Sequence, residues 1–106
     1  MGQPKDPLIH CTGFDWDEDN AVKNRDLHRV TPEEAEEVFL NEPLIIRSDV
    51  RHSRNEKRYF ALGQSNKGRL LFAAFTMRKS LIRVISVRDM NRREGAFYES
   101  YEKENS

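Results

Sequence analysis

The spacing of hydrophobic and polar positions changes along the chain, and the first half follows a helical pattern. Asp17 is suited to cap a helix that runs to about Arg29. Ala21, Asn24 and His28 lie three and four residues apart and share one face of this helix. An amide and an imidazole therefore occupy a face that normally packs on a core, and we expect each to have a hydrogen-bond partner or a function.

A second helix is predicted to begin after Thr31. Thr31 is an N-cap residue, Pro32 occupies the first helical position, and Glu34 would complete a capping box. Pro43 ends this helix, because a proline disfavours helical backbone in the residue before it. Residues 14–16, ahead of both helices, alternate apolar and polar side chains and are a candidate for a short strand.

The second half of the chain changes to the period of two that is typical of strands. The pattern predicts three strands and a weaker fourth candidate, over residues 57–62, 69–77, 81–88 and, for the weaker one, 44–47. The connections between the three strands are short and carry turn residues, which favours an antiparallel meander. Asn91 and Glu94 then predict the cap of a final helix that frays near Lys103.

The expected fold class is therefore α+β. A short strand, two helices, a three- to four-stranded antiparallel sheet and a C-terminal helix follow one another in that order. We assign residues 14–104 to a single domain and residues 1–13 to an irregular lead-in. A chain of 106 residues has room for one modest core, which favours an open groove over a deep, enclosed active site.

Two arginines in the last predicted strand do not fit a core. Arg83 lies between apolar neighbours, and burying a guanidinium without a partner costs several kcal/mol. By strict alternation Arg83 and Arg88 face opposite sides of the sheet. A β-bulge would be needed to bring both to one site.

Composition indicates the cellular environment. Cys11 is the single cysteine, so no disulfide can form within the chain. No apolar run approaches the ~20 residues that span a bilayer, the N-terminus lacks the apolar core of a signal peptide, and Asp6 breaks the myristoylation pattern after Gly2. We therefore expect a protein of the reducing cytoplasm that does not bind membranes.

The formal net charge of zero hides an uneven distribution. Residues 1–46 hold 4 Lys and Arg against 11 Asp and Glu, residues 47–93 hold 13 against 3, and residues 94–106 hold 1 against 4. Ten of the 13 cations in the middle segment are arginines, whose planar fork of donors matches phosphate oxygens. The segment is either a solvated surface or a site for a phosphate-rich ligand, and its arginine content favours the ligand.

The residue types disfavour nucleotide hydrolysis and ester hydrolysis. His10, Cys11, His28 and His52 match no spaced set of zinc ligands, and the glycines form neither a phosphate loop nor a nucleophile elbow. We therefore expect no metal and no other cofactor. RNA cleavage stays open, because RNA carries its own nucleophile, the 2′-hydroxyl, and an enzyme needs only to position it, take its proton and stabilise the charged phosphorane.

The basic segment contains side chains that such a reaction needs. They are Glu56, Arg58, Arg78, Arg83 and Arg88, joined by His28 and Tyr98 if the fold brings these close. Most have a plainer interpretation as well. His28 can be an ordinary histidine at a helix end, Glu56 can pair with a neighbouring cation, and Tyr98 can pack on the sheet.

Residues spread over most of the chain resemble the BrnT family of toxins. In the first half the matching residues are Trp16, Asp17, Asn24, His28, Val30, Glu34, Ala35, Val38 and Phe39. In the second half they are Glu56, Arg58, Tyr59, Gly63, Gly68, Arg69, Leu70, Leu71, Thr76, Arg78, the run over residues 82–88, Glu94 and Tyr98. The resemblance covers about residues 14–101 and is far more specific than any single motif.

The resemblance implies a RelE-like fold and a metal-independent ribonuclease that arrests translation. It also implies a partner, a BrnA-like antitoxin with a ribbon-helix-helix region, so that DNA is contacted only through the complex. The expected catalytic residues are His28, Glu56, Arg58, Arg83 and Arg88, and the expected RNA-binding residues are Arg54, Lys57, Arg69, Arg78 and Lys79. We expect Arg83 and Arg88 to hold the phosphorane and either Glu56 or His28 to transfer protons.

Two positions depart from the family pattern, which usually has Lys where this chain has Asn20 and Leu27. If either lysine contacts RNA, cleavage by this chain would be weaker or absent, and Leu27 in particular would remove a phosphate-binding charge from the helix end. Two other functions therefore stay open beside the ribonuclease. The chain can be a degenerate relative that binds an antitoxin or RNA without cutting, or a scaffold protein with an ionic surface. Cleavage of RNA in the presence of a chelator separates the enzyme from both.

Overall fold

A computed structural model describes residues 7–53 and 55–104 of the chain. Its elements are β1 Gly13–Phe14, α1 Glu18–His28, α2 Pro32–Leu40, β2 Ile45–Ser48, a 3₁₀ helix at Val50–His52, β3 Arg58–Gln64, β4 Leu70–Arg78, β5 Leu81–Asp89 and α3 Arg92–Glu104. The predicted α+β class and element order are confirmed. Across these ranges, every helix is too short or too polar to span a bilayer.

The five strands form one sheet in the order β1-β5-β4-β3-β2. Strands β2 to β5 are antiparallel neighbours, so the predicted antiparallel sheet has four strands, including the weaker candidate. The short strand predicted at residues 14–16 is Gly13–Phe14, and it joins the outer edge of β5 in the parallel direction. The sequence did not predict that this short strand pairs with β5, because a pattern of two residues is too short to indicate a partner strand.

Side-chain caps begin all three α-helices at the predicted places. Asp17 accepts backbone hydrogen bonds from the first turn of α1, and the Thr31 hydroxyl accepts one from Glu34 at 3.1 Å. Asn91 and Glu94 form a complete capping box at the start of α3, with both bonds under 3 Å. The Glu34 carboxylate takes a different partner, described with the site below, so the box predicted at Thr31 is only half formed.

Helices α1 and α2 pack on one side of the sheet, which we call the helix-covered face. Its buried core comes from α2, from the connection between the two helices and from alternate strand positions: Val30, Ala35, Val38, Ala61, Leu71, Ala73, Phe75, Ile82, Val84 and Val87. Gly63 allows α2 to approach β3, because a Cβ there would lie 2.8 Å from Cγ1 of Val38. Leu8 and Cys11, from the predicted lead-in, also pack against this core.

The opposite side of the sheet is covered at one end by α3. Tyr98 of this helix is fully buried and packs with Ile45 and Leu62. Its hydroxyl donates to the backbone oxygen of Pro43 at 2.7 Å, and burial raises the pKa of the phenol. The plainer interpretation of Tyr98, as a side chain that packs on the sheet, therefore accounts for its position.

A β-bulge brings two arginines to this second side of the sheet. The register between β4 and β5 shifts between Ala74 and Phe75, which leaves Ile85 as an extra residue in β5. Arg83 and Arg88 therefore point to the same side, although strict alternation would separate them. The bulge that a shared site requires is present, and we call the side that carries these two residues the arginine face.

The amide oxygen of Asn24 has the partner that its place in the helix pattern requires, whereas its Nδ2 is buried without one. Asn24 is 3% exposed, and its Oδ1 accepts a hydrogen bond from the backbone N–H of Val87 at 3.1 Å. This N–H lies on the outer edge of β5, beyond the two residues that pair with β1. The Asn24 amide therefore satisfies a backbone group at a place that the short strand β1 does not reach.

Candidate active site

The candidate site is built on a row of three residues across the arginine face. In the register of the sheet, Thr76 of β4 lies directly between Arg58 of β3 and Arg83 of β5. The two arginines are two strand spacings apart, about 10 Å at the backbone, and their long side chains start from the same side of the sheet. The row therefore places two of the predicted catalytic arginines within reach of one phosphate group.

Glu56 lies at the same end of the sheet, just before β3. Its Oε2 accepts a hydrogen bond from Nε of Arg78, the last residue of β4, at 3.1 Å. Both side chains are more than a third exposed, so solvent screens this ion pair and it contributes little to stability. The carboxylate of Glu56 can therefore exchange Arg78 for another partner at low cost.

Arg83 is held by two carboxylates from the segment that joins β1 to α1. Its NH1 donates to Asp15 at 3.2 Å and its NH2 donates to Asp17 at 3.0 Å. Asp17 also caps α1, and the backbone N–H groups of Asn20 and Asp19 lower its pKa, with a further lowering by Arg83. These two ion pairs explain how a guanidinium that is only 21% exposed is accommodated in an apolar strand.

Arg88 lies on the arginine face but toward the end that α3 covers. It is opposite Phe72 in the register, four residues along β4 from Thr76, so about 13 Å of strand separates it from Arg83. Its guanidinium donates to both carboxylate oxygens of Glu94, at 2.8 and 3.1 Å, and stacks over the Phe72 ring at 4.1 Å. Arg88 therefore holds the start of α3, and the structure does not bring it beside the row formed by Arg58, Thr76 and Arg83.

Arg69 has no N–H donor left for RNA. A guanidinium has five such donors. In Arg69 they reach two oxygens of Asp89, one oxygen of Glu34, and the backbone oxygens of His28 and Arg29. This placement argues against the predicted contact between Arg69 and RNA, and it takes the Glu34 carboxylate away from the predicted capping box.

His28 and Glu56, the two candidates for proton transfer, lie at opposite ends of the sheet. His28 ends α1 on the helix-covered side near Asp89, whose pKa is lowered mainly by its hydrogen bond from Arg69 and to a smaller extent by the nearby imidazole. Asp89 is level with the start of β4, whereas Glu56 contacts Arg78 at the end of that strand. About 23 Å of strand lies between these two levels. The structure therefore does not bring the two candidates together.

The other predicted RNA-binding residues lie in different places. The Lys57 Nζ lies 5.6 Å from the centre of the Tyr59 ring, and Tyr59 packs on the core of the helix-covered face. Lys57 is therefore directed away from the arginine face. Lys79 is exposed in the turn between β4 and β5, beside the site, with a φ of 57°. Arg54 lies outside the described residues.

An open pocket beside Glu56 contains a histidine that the sequence did not assign to the site. It is lined by Arg51, His52, Asn55, Glu56 and Arg58. Nδ1 of His52 lies 2.9 Å from Oδ2 of Asp49. In the sequence His52 stands out only as one of the residues that could bind a metal. Its position four residues before Glu56, inside the basic segment, is the signal that indicates a place in the site.

These groups are suited to acid–base chemistry on a phosphate ester. A carboxylate and an imidazole can take and donate protons, and guanidinium groups stabilise negative charge as it develops on phosphate oxygens. Glu56 and His52 supply the first two, and Arg58 and Arg83 supply the third. Within residues 7–53 and 55–104, no group of three or more His, Cys, Asp and Glu side chains is placed to share a metal ion.

Comparison with known proteins identifies the family. Residues 16–94 match the family model described as the ribonuclease toxin BrnT of type II toxin–antitoxin systems. The 1.1 Å crystal structure of the Brucella abortus ribonuclease toxin BrnT has a similar fold, with a TM-score of 0.57 and 22% identity over 76% of this chain and 99% of that one. No curated protein matches the chain significantly. Because the family model spans well over half of the sequence, the chain belongs to the BrnT family of ribonuclease toxins of type II toxin–antitoxin systems.

Proposed function

We propose that this toxin cleaves RNA without a metal ion, through attack of a 2′-hydroxyl on the adjacent phosphorus. The observation that supports this most is the row formed by Arg58, Thr76 and Arg83, with Glu56 at the same end of the sheet. Guanidinium groups on two sides of a phosphate stabilise the additional negative charge of a phosphorane. Since RNA supplies the nucleophile, the site has to supply only this stabilisation and proton transfer.

In the proposed reaction Glu56 is the general base. Its carboxylate leaves Arg78 and takes the proton of the 2′-hydroxyl while the 2′-oxygen forms a bond to phosphorus. The bond between phosphorus and the 5′-oxygen then breaks, and the 5′-oxygen gains a proton. The products are a 2′,3′-cyclic phosphate and a 5′-hydroxyl. Arg83 can contribute without leaving its carboxylate partners, because Asp15 and Asp17 use only two of its five N–H donors.

We propose that this cleavage arrests translation in the cytoplasm and that a BrnA-like ribbon-helix-helix antitoxin neutralises the toxin. A protein antitoxin is implied by membership of a type II toxin family. An acidic or amphipathic segment of the antitoxin would fill the part of the arginine face that α3 leaves open, because Arg58 there has no carboxylate partner within the described residues and can attract complementary charge. DNA would be bound by the antitoxin, with the toxin present only through the complex. A complex that leaves the arginine face open would contradict this arrangement.

The variant Arg58→Ala tests the site with little risk to the fold. None of the ion pairs within the described part of the chain includes Arg58. With purified protein, single-stranded RNA and EDTA, we expect kcat/KM to fall by about 100-fold to 1,000-fold. Lys67→Ala, which removes an exposed cation between β3 and β4, is the control and should cleave at the parental rate.

Two results would argue against the proposal. Cleavage by Arg58→Ala at the parental rate would show that the row does not bind the reacting phosphate. Retention of RNA by the unaltered protein without any cleavage would indicate the second function considered above, a relative that binds RNA but no longer cuts it.

A further inference from the structure

We propose that His52, held by Asp49, is the general acid that protonates the 5′-oxygen as it leaves. This inference rests on the proposed function and completes it, because the reaction requires a proton donor that neither Glu56 nor the arginines supply. His52 lines the same pocket as Glu56 and Arg58. The resemblance to the toxin family implies His28 as a catalytic residue instead, but His28 lies on the helix-covered side of the sheet.

The loop that carries His52 is tied to the first residue of β3 by several hydrogen bonds. The backbone N–H of Asp49 donates to the backbone oxygen of Arg58 at 2.8 Å. The Ser53 hydroxyl accepts from the N–H of Arg58 at 3.0 Å and donates to the backbone oxygen of Asp49 at 2.6 Å. Residues on both sides of His52 are therefore bonded to Arg58, and this positions the imidazole relative to the row of arginines.

Asp49 determines which ring nitrogen of His52 is available to a substrate. Its Oδ2 lies 2.9 Å from Nδ1, so Nδ1 is occupied by the carboxylate. In a protonated imidazole both nitrogens donate, Nδ1 to Asp49 and Nε2 to an acceptor outside the protein. The side chain of His52 is 64% exposed, so a bound RNA can reach Nε2.

The charges around His52 come from its own loop and from the pocket wall. Asp49 and Arg51 lie on the same loop, and Glu56 and Arg58 line the pocket with it. Glu56 takes the proton of the 2′-hydroxyl and His52 gives a proton to the 5′-oxygen, so one group gains a proton and the other loses one in each turnover. Water at the open pocket then removes the proton from Glu56 and returns one to His52, which restores both side chains to their starting protonation states.

A substrate with an altered leaving group tests this role directly. In a short RNA whose 5′-bridging oxygen is replaced by sulfur, the leaving thiolate needs no proton. We expect His52→Ala to slow cleavage of the ordinary RNA by about 100-fold or more, and to cleave the sulfur-containing RNA at nearly the parental rate. Asp49→Asn should show the same dependence on the leaving group with a smaller loss, since Asp49 acts by positioning His52. His10→Ala, an exposed histidine outside the site, should match the parent on both substrates.

Several outcomes would overturn the assignment. His52→Ala that cleaves ordinary RNA at the parental rate, or that loses the same factor on both substrates while retaining the parental circular dichroism spectrum, excludes His52 as the acid. The leaving-group dependence appearing in His28→Ala instead would transfer the role to that residue. If the unaltered protein cleaves neither substrate, the proposed ribonuclease reaction itself fails, and this result differs from a defect confined to the variant.

Discussion

Arg69 and Asp89 are joined by two hydrogen bonds, from Nε to Oδ1 at 2.7 Å and from NH2 to Oδ2 at 3.1 Å. The hydrogen bond lowers the pKa of Asp89 and raises that of Arg69. The same guanidinium donates to the backbone oxygens of His28 and Arg29 at the end of α1. One side chain therefore connects strands β4 and β5 to the helix layer above them.

We expect Arg69→Ala to destabilise the protein. The substitution leaves the Asp89 carboxylate and two backbone oxygens without their donor, and such losses cost about 2 kcal/mol of the free energy of unfolding. Urea unfolding followed by circular dichroism measures the change. Lys67→Ala, two residues away and exposed, should alter the free energy by less than about 0.5 kcal/mol. Equal stabilities of the two variants would contradict the role given to Arg69.

Asn24→Ala should expose the outer edge of β5 to local opening. The backbone N–H of Val87 then loses its acceptor in a buried environment, which costs about 1–3 kcal/mol. Hydrogen exchange of the Val87 amide measures the effect at the group itself. Lys23→Ala, an exposed neighbour on the same helix, is the control. An unchanged exchange rate at Val87 in the Asn24 variant would show that this hydrogen bond is unimportant.

We expect the stability of the protein to respond in opposite directions to the substitution of alanine at two glycines. In Gly63→Ala the new Cβ would lie 2.8 Å from Cγ1 of Val38 and 3.0 Å from its backbone oxygen, so α2 must shift, at a cost of about 1–3 kcal/mol. In Gly95→Ala the new Cβ would meet nothing within 4 Å beyond its chain neighbours and the backbone of its own helix, and alanine in helix α3 should stabilise the protein by about 0.5–1 kcal/mol. Thermal unfolding of both variants gives the sign of each change in stability. Stabilisation by Gly63→Ala would contradict the close packing of α2 on β3.

Acid should weaken the fold through carboxylates that are paired in the native state. Arg88 lowers the pKa of Glu94 below its ordinary 4.5, and Arg69 lowers that of Asp89 below 3.8. Because the folded values are the lower ones, the unfolded chain binds protons first, and the contribution of these groups is present above the ordinary values and lost below them. We expect the free energy of unfolding to fall from about pH 5 downward.

Glu94→Gln isolates one part of this acid dependence. The variant cannot titrate at position 94, so its free energy of unfolding should vary less steeply with pH below 4.5 than that of the parent. Urea unfolding at a series of pH values provides both curves. Identical slopes would show that the pair of Glu94 and Arg88 does not contribute to acid sensitivity. Glu99→Gln, an exposed residue of the same helix, is the control.

Local signals in the sequence predicted the elements well, because each depends on residues close together in the chain. Asp17, Thr31 and Asn91 are polar caps directly ahead of helical segments, and the structure has a helix after each. The pairing of β1 with β5 could not be predicted from local signals. Gly13–Phe14 pairs with β5, nearly seventy residues later, and a two-residue strand carries no pattern that points there.

The site was predicted in its residue types but not in its grouping. Arg58 and Arg83 meet in one row because three strands align in register, and Arg83 shares a side with Arg88 only through the bulge. Charge along the chain cannot distinguish an arginine that is free to bind RNA from one such as Arg69, whose donors are all used within the protein. The pocket histidine was missed although its signal is local, since Asp49 lies three residues before His52 and Glu56 four residues after it. What the sequence does not show is that His52, Glu56 and Arg58 line one pocket.

Ile85 makes strand β5 sensitive to its length as well as to its composition. Without this residue Val84 and Ser86 would be consecutive, the ladder with β4 would alternate without interruption, and Arg83 and Arg88 would still lie on the same side of the sheet. One added residue that pairs with β4 would instead turn either Arg83 or Arg88 toward the apolar layer of Val84 and Val87, where a guanidinium loses its carboxylate partners and its water together. Insertion of one codon between Arg83 and Arg88 should therefore harm the toxin far more than deletion of the Ile85 codon.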